Sequence, residues 1–344
     1  MGFAAHDLGI DLGTSNTLVY VGGKNIVVNE PTIVVVESTN ERRVRAVGDD
    51  AKIMLGRTTE GVMAIRPMRE GVITDFDMTR ILLQYFTRKA IGSSYLLKPR
   101  LFLTYPCSIS SIEQRAVMEA AKCAGGRKIF LVEKPFASAL GSGLPVFEPN
   151  GCMIVDIGGG TTEVAVISMG GVVISRSLRV AGDELDEDIL QYIRKKYNLL
   201  IGERLAEQVK INIASAYPLQ TELTYTVRGR NLITGLPGSL EVSSVEIREA
   251  ISNSVQVIVD TIKDALDEVP PELVSDLLDN GICLAGGGAQ LLGLVPRLKD
   301  ELNLRVWIAD DPLTCVARGA GLVLENLAAH ERFLVGLDRT RTTG

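Results

Sequence analysis

Short runs of branched aliphatic residues recur along the chain, and two of them end on the same polar pattern. Met153, Ile154 and Val155 lead to Asp156, then Gly158, Gly159, Gly160, Thr161 and Thr162, then a second apolar run through Val164, Val166 and Ile167. Near the N-terminus, Leu8 to Ile10 lead to Asp11, then Gly13, Thr14, Ser15, Asn16 and Thr17, then Leu18 to Tyr20. Branched runs of this length predict buried strands. Each stretch is therefore expected to be a β-hairpin with glycines and hydroxyls at its tip. Gly22-Gly23 follows the first and Gly170-Gly171 the second, and Asp11 and Asp156 stand 145 residues apart. A repeat at this separation implies internal duplication.

Between and beyond the hairpins the polarity pattern alternates. Ile26 to Val28 and Thr32 to Glu37 predict strands broken by Pro31, and Ser38 to Arg66 reads as a small excursion without a core of its own. Ile81, Leu82, Tyr85 and Phe86 fall at helical spacing, and that helix is expected to end near Gly92. Leu101 to Tyr105 predicts a strand, Ser110 with Glu113 a capping box opening a helix, and Gly125-Gly126 its end. Lys128 to Val132 predicts a strand, and Pro135 opens a small-residue helix. In the second half, Asp183 to Tyr197 and Glu203 to Tyr217 predict helices, Glu222 to Val227 and Leu240 to Val242 strands. Together, residues 181–243 look like an inserted subdomain. A long helix over Val245 to Leu266, a strand over Ile282 to Ala285, a helix from near Ala289 and a final helix over Leu322 to Leu337 complete the chain. Strands alternating with helices predict an α/β fold with mixed sheets.

The 344 residues suffice for two medium domains or one bilobed one. A formal charge of −6 argues against nucleic acid as the main partner. The five cysteines lie scattered, with only His6 and His330 to help, so zinc is not expected and reduced thiols in a cytoplasm are. No signal peptide is expected, and no apolar run reaches the roughly 18–20 residues of a membrane span.

The hairpin tips carry the candidate chemistry. Glycines let backbone N–H groups converge on an anion such as phosphate, the hydroxyls add donors, and a carboxylate can hold magnesium through water. A glycine triplet in a hairpin also serves simply as a turn. Two such tips facing one another could hold a metal-bound polyphosphate. A third triplet, Gly286 to Gly288, stands between a strand and a predicted helix, where terminal amides can face a ligand or merely make a tight turn.

In chain order, IDLGTSNT, LVEKPFASALGSG, VDIGGGTTEV, LAGGGAQL and DPLTCVARGAG resemble the actin-like ATPase superfamily. Within it, NEPTIV, AIRPMREGVITDF, VDIGGGTTEVAVIS, VRGRNLITGLP and DPLTCVARGAG resemble the MreB family of bacterial actin homologues, over about Asp7 to Leu327. The resemblance implies a two-lobed actin-like ATPase fold, a duplicated RNase H-like core with two small subdomains and a nucleotide cleft between the lobes. It implies a first lobe at 1–140 with a small subdomain at about 31–66, and a second at 141–314 with one at about 181–243. A helix over 315–337 returns to the first lobe, and 338–344 form a flexible tail. By the same resemblance, ATP or ADP with magnesium sits in the cleft. Gly13, Thr14, Ser15, Asn16 and Thr17, with Gly158, Gly159, Gly160 and Thr161, hold phosphates; Asp11 and Asp156 hold magnesium through water. Glu207, Gln208, Val209 and Lys210 face ribose and adenine, and Gly286, Gly287, Gly288 and Ala289 flank them. Without the resemblance, Glu207 and Lys210 read as a solvated ion pair. Gly319 falls in a second connecting helix, where a small residue allows close packing. The family implies filaments of this chain and possible copolymers with MreB-type paralogues. They lie in the cytoplasm at the inner membrane face, organising wall-elongation membrane proteins and so cell shape.

One residue departs from the family pattern. Immediately before the proline that opens the first connecting helix the family normally has a glutamate that positions the attacking water; here it is Lys134. Glu133 matches a different, non-catalytic glutamate, and adjacent residues in extended backbone point to opposite sides. An ammonium has no acceptor to orient water or take its proton. Slow or absent hydrolysis is expected, unless Lys134 turns to solvent and Thr161 with magnesium sustains a low rate. Tyr95, Leu96 and Leu97, beside Lys98 and Arg100, match the family's membrane-inserting loop and suit anionic lipid, with Phe3 as a second anchor. Those side chains could equally tuck into the lobe. The alternatives are a small-molecule kinase of the same superfold, which needs a catalytic aspartate and substrate pocket, and a chaperone ATPase, for which no substrate-binding domain follows Leu337.

Overall fold

The computed structural model describes residues 7–37, 42–92, 98–327 and 335–336. Leu8–Leu12 and Asn16–Val21 form the first predicted hairpin, and Asn25–Pro31 extends it into an antiparallel meander. On the other side of Leu8–Leu12 lie Arg100–Tyr105 and then Lys128–Glu133, both parallel. The second sheet repeats this order. Cys152–Ile157, Thr162–Ser168 and Gly171–Leu178 form the meander, and Ile282–Ala285 and Val306–Ile308 add in parallel. The duplication suggested by two hairpins thus extends to five strands of each sheet. Helices supply the crossovers that parallel neighbours require, among them Phe76–Ile91, Ser111–Cys123 and Ser244–Asp267. Ser110 with Glu113 forms the predicted capping box, and Ser243 with Glu246 forms another.

Two helices lie between the sheets. The first, Lys134–Gly141, starts where Lys128–Glu133 ends, and the second, Cys315–Glu325, returns from the second sheet to the first. Phe136, Ala137, Val316 and Val323 join one buried cluster with Phe102 and Phe130 of the first sheet and Ile154, Ala165 and Cys283 of the second. The Phe102 and Phe130 rings stack at 4.7 Å. Separate cores cover the outer faces, around Leu82, Leu83 and Phe86 on one side and Ile189, Ile251 and Ile258 on the other.

Several expectations change in detail. Among the described residues the last named helix is Cys315–Glu325, which starts before the expected 322, and Val335–Gly336, expected to be helical, adds an antiparallel edge strand beside Lys128–Glu133. Gly319 and Gly321 discount a helix by propensity, yet packing requires them: a Cβ on Gly319 would lie 1.8 Å from the Ala137 carbonyl oxygen. The two strands expected on either side of Pro31 form as Asn25–Pro31 and Val34–Glu37, and Pro31 is the last residue of the first, on a sheet edge where the missing N–H is tolerated. The 38–66 region has a core after all. Val34–Glu37, Val44–Val47 and Val62–Ile65 form a sheet over a small cluster of Ile33, Val35 and Ala51. The helix from Glu203 stops at Ile213, and the third glycine triplet runs into a four-residue 3-10 turn, Gly287–Gln290. The strands expected at 222–227 and 240–242 form as Thr224–Asn231 and Pro237–Ser243, longer than expected and running through Gly229 and Gly238, and they pair antiparallel. Phe3, Tyr95, Leu96, Leu97 and the 338–344 tail lie outside the described residues.

Candidate functional site

The two hairpins are alike down to their hydrogen bonds. Leu12 pairs with Thr17 and Ile157 with Thr162, leaving tips at 13–16 and 158–161. In each tip the first glycine donates to the carbonyl of the fourth residue, Gly13 to Asn16 at 3.1 Å and Gly158 to Thr161 at 2.9 Å. The tips meet. A Cβ on Gly159 would fall 1.9 Å from Ser15 Oγ, and one on Gly160 2.6 Å from Thr14 Oγ1. Ser15 Oγ also donates to Asp183 Oδ1 at 3.0 Å, at the start of helix Gly182–Tyr197, and Gly71 N–H donates to Thr14 Oγ1. Close approach, not turn geometry, accounts for Gly159 and Gly160. The amides of Thr14, Ser15, Gly159 and Gly160 make no hydrogen bond among the described residues. They are available to an anion.

Lys134 points into this junction and not to solvent. Its side chain is 12% exposed, and Nζ lies 3.9 Å from Asp11 Oδ1 and 3.7 Å from where a Gly158 Cβ would be. Asp11 Oδ1 also accepts from Thr104 Oγ1 at 2.9 Å. Asp156 stands opposite Glu163 in the hairpin register, so two carboxylates share one face, an arrangement destabilising without a countercharge. Both are buried, and burial raises both pKa values. Burial works against the Lys134 ammonium, but Asp11, Asp156 and Glu163 outweigh it and hold its pKa above the ordinary lysine value. Glu163 is further held by Cys107, from backbone and thiol, and by Ser177. Sequence reasoning passed over Glu163; a carboxylate in strand Thr162–Ser168, among apolar neighbours, was its only signal.

Magnesium between Asp11 and Asp156 does not fit this arrangement. Asp156 Oδ2 is buried with no hydrogen-bond partner among the described residues, as a water-bridged cation would require. The Lys134 ammonium, however, already stands 3.9 Å from Asp11 Oδ1 and supplies positive charge to Asp156. A unit charge and a divalent ion about 4 Å apart repel by on the order of 8 kcal/mol at an effective dielectric of about 20. No group of three or more His, Cys, Asp or Glu among the described residues could hold a metal ion.

The remaining expected residues divide. Asn16 lies at the first tip, but Thr17 is fully buried and its hydroxyl bonds Thr32, which itself donates to the Gly13 carbonyl. Thr17 therefore braces the hairpin and does not face a phosphate. Lys210 lies near the second tip, bonding the Gly182 carbonyl and Asp186 Oδ2 at 2.7 and 2.8 Å. Burial pushes Asp186 up to about 6 against the pull of Lys210. Glu207 pairs with Lys52 Nζ at 3.1 Å, not with Lys210, so helix Glu203–Ile213 touches helix Asp49–Met54. Arg66 with Glu203 and Arg179 with Glu70 make similar exposed pairs. Val209 is fully buried in the second-lobe core, because helical rotation turns it from the face of Glu207 and Lys210, and Gln208 is exposed. Gly286 has φ +77°, and its Cβ would lie 2.3 Å from the Ile157 carbonyl oxygen; Gly288 packs on the Ile157 side chain. Ala289 is buried in the core. This triplet seats the turn against the second hairpin, with Gly287 half-exposed.

Comparison with known proteins bears on the same stretches. A family model described as MreB/Mbl protein matches residues 5–332. The chain is 48% identical over 333 residues to the cell shape-determining protein MreB of Escherichia coli (strain K12), covering 96% of each. It is similar to the crystal structure of MreB 5 of Spiroplasma citri bound to AMPPNP, with a TM-score of 0.89, 33% identity, and coverage of 96% of this chain and 98% of that one. The MamK double helical filament matches with a TM-score of 0.79 over 94% of this chain and 99% of its own, at 22% identity, a likeness of fold alone.

Proposed function

The chain belongs to the MreB/Mbl family and has an actin-like fold, and from that premise we propose that it binds an adenine nucleotide between its lobes and assembles into filaments that determine cell shape. The observation that carries this reading is the meeting of two matching tips, 13–16 and 158–161, beside the start of the first connecting helix. Free amides at the tips bind phosphate oxygens, the Thr14 and Ser15 hydroxyls orient them, and Lys134 supplies positive charge. Glu207 and Lys210 stand where ribose and base extend toward the small subdomains. The lobes of this reading are 1–140 and 141–314, with the helix from Cys315 returning to the first.

Assembly fits a nucleotide switch because the ligand bridges both lobes, and whatever sets their relative position sets the surfaces offered to the next copy. Thr161 and Lys134 flank the terminal phosphate, and without a carboxylate at 134 turnover is slow. Placement at the inner membrane face through Tyr95, Leu96 and Leu97, and contact with wall-elongation membrane proteins, belong to the same proposal. Pelleting of the purified chain with ATP, with ADP and without nucleotide, on its own and with anionic liposomes, tests it. ATP is expected to increase the pelleted fraction and liposomes to increase it further, the lipid part being lost in the Leu96→Ser, Leu97→Ser variant. Pelleting that stays flat across nucleotide and concentration counts against the filament, and undiminished lipid binding by the double variant removes the loop.

A further inference from the structure

We infer that the Lys134 ammonium is a built-in cation standing in for a divalent metal, so that this chain binds its nucleotide without needing magnesium. The inference rests on the nucleotide reading above and names the countercharge in that site. The head of one side chain that starts at the first connecting helix lies against Asp11 of the first hairpin and within electrostatic reach of Asp156 and Glu163 on the second. Nζ is 3.9 Å from Asp11 Oδ1 and beside Gly158, the first residue of the second tip. Both partners of that contact are nearly buried. The charge is thus fixed at the point between the hairpins where a bound polyphosphate concentrates its own.

The exchange balances electrostatically. A glutamate together with a divalent ion brings one net positive charge to a site, and a lysine brings the same charge alone. Lysine also differs from a metal in mechanism. An ammonium donates hydrogen bonds and neutralises charge, but it has no open coordination position with which to hold a water. The site is therefore suited to binding without chelation and poorly suited to hydrolysis.

Nucleotide affinity of the full chain, measured with ATP in excess magnesium and again with a chelator, tests the inference. Two ligands that depend on one another typically couple by roughly 5–150-fold. The natural chain is expected to change by less than about fivefold on chelation, below that range. Lys134→Gln, which removes the charge and leaves the carboxylates, is expected to lose affinity within that range on chelation. A second readout needs no nucleotide: magnesium should raise the thermal midpoint of Lys134→Gln and leave that of the natural chain unmoved. Binding by the natural chain only in magnesium overturns the inference while leaving the nucleotide reading intact. Failure to bind in either condition overturns both.

Discussion

Replacing Gly319 with alanine is expected to cost roughly 3 kcal/mol or more, at the upper end for overpacking, and Gly319→Val to abolish soluble protein. The two connecting helices cross here with their backbones in contact. A Cβ at Gly319 would lie 1.8 Å from the Ala137 carbonyl oxygen, and one at Gly141 1.8 Å from that of Cys315. Both clashes are with backbone, so no side-chain rotation relieves them. Alanine's better helix propensity returns only about 1 kcal/mol. A domain stable by about 5–15 kcal/mol retains a fold after such a loss, but the helices must separate, and both sheets rest on them. Chemical denaturation of Gly319→Ala and Gly141→Ala checks this, with Gly202→Ala as the control. Gly202 has open space where its Cβ would stand, so its change should stay within about 1 kcal/mol. Equal stabilities for all three would mean that the crossing is looser than described.

Lys134→Glu is expected to accelerate hydrolysis, by on the order of 10²-fold or more when magnesium is supplied, since a positioned general base is typically worth roughly 10²–10⁴-fold. The substitution restores an acceptor beside the second tip and removes the positive charge from among Asp11, Asp156 and Glu163. Four carboxylates then share one buried junction, so the variant should also need magnesium to reach its full thermal midpoint. Single-turnover phosphate release from the natural chain and the variant measures the first effect. An unchanged rate would show that Lys134 is not what limits turnover.

What could be read in advance was local. The hairpins, their glycine tips and the Ser110–Glu113 box depend on residues a few positions apart, and each formed where the pattern put it. Elements whose reason lies elsewhere in the chain were harder. Gly319 and Gly321 sit inside a helix because Ala137 and Tyr20 press on them, and nothing adjacent in sequence announces that. Val335–Gly336 is a strand because the edge of Lys128–Glu133 is open to it. Within the site, adjacency misled in the same way. Thr17 looked like a phosphate ligand until Thr32 took its hydroxyl, and Val209 belongs to a helix that reaches the cleft but faces the core. The orientation of Lys134 was undecidable from its neighbours. In the fold the side chain lies inward, between Asp11 of one hairpin and Gly158 of the other.

Calorimetric titration of the natural chain with ATP tests the central claim most directly. Saturable binding of one nucleotide per chain is expected, and Gly160→Val, whose side chain would enter the space where Thr14 Oγ1 meets the second tip, should lose most of it while remaining folded. No saturable binding by the natural chain, or undiminished binding by a folded Gly160→Val, would contradict the assignment of the paired tips as the nucleotide site.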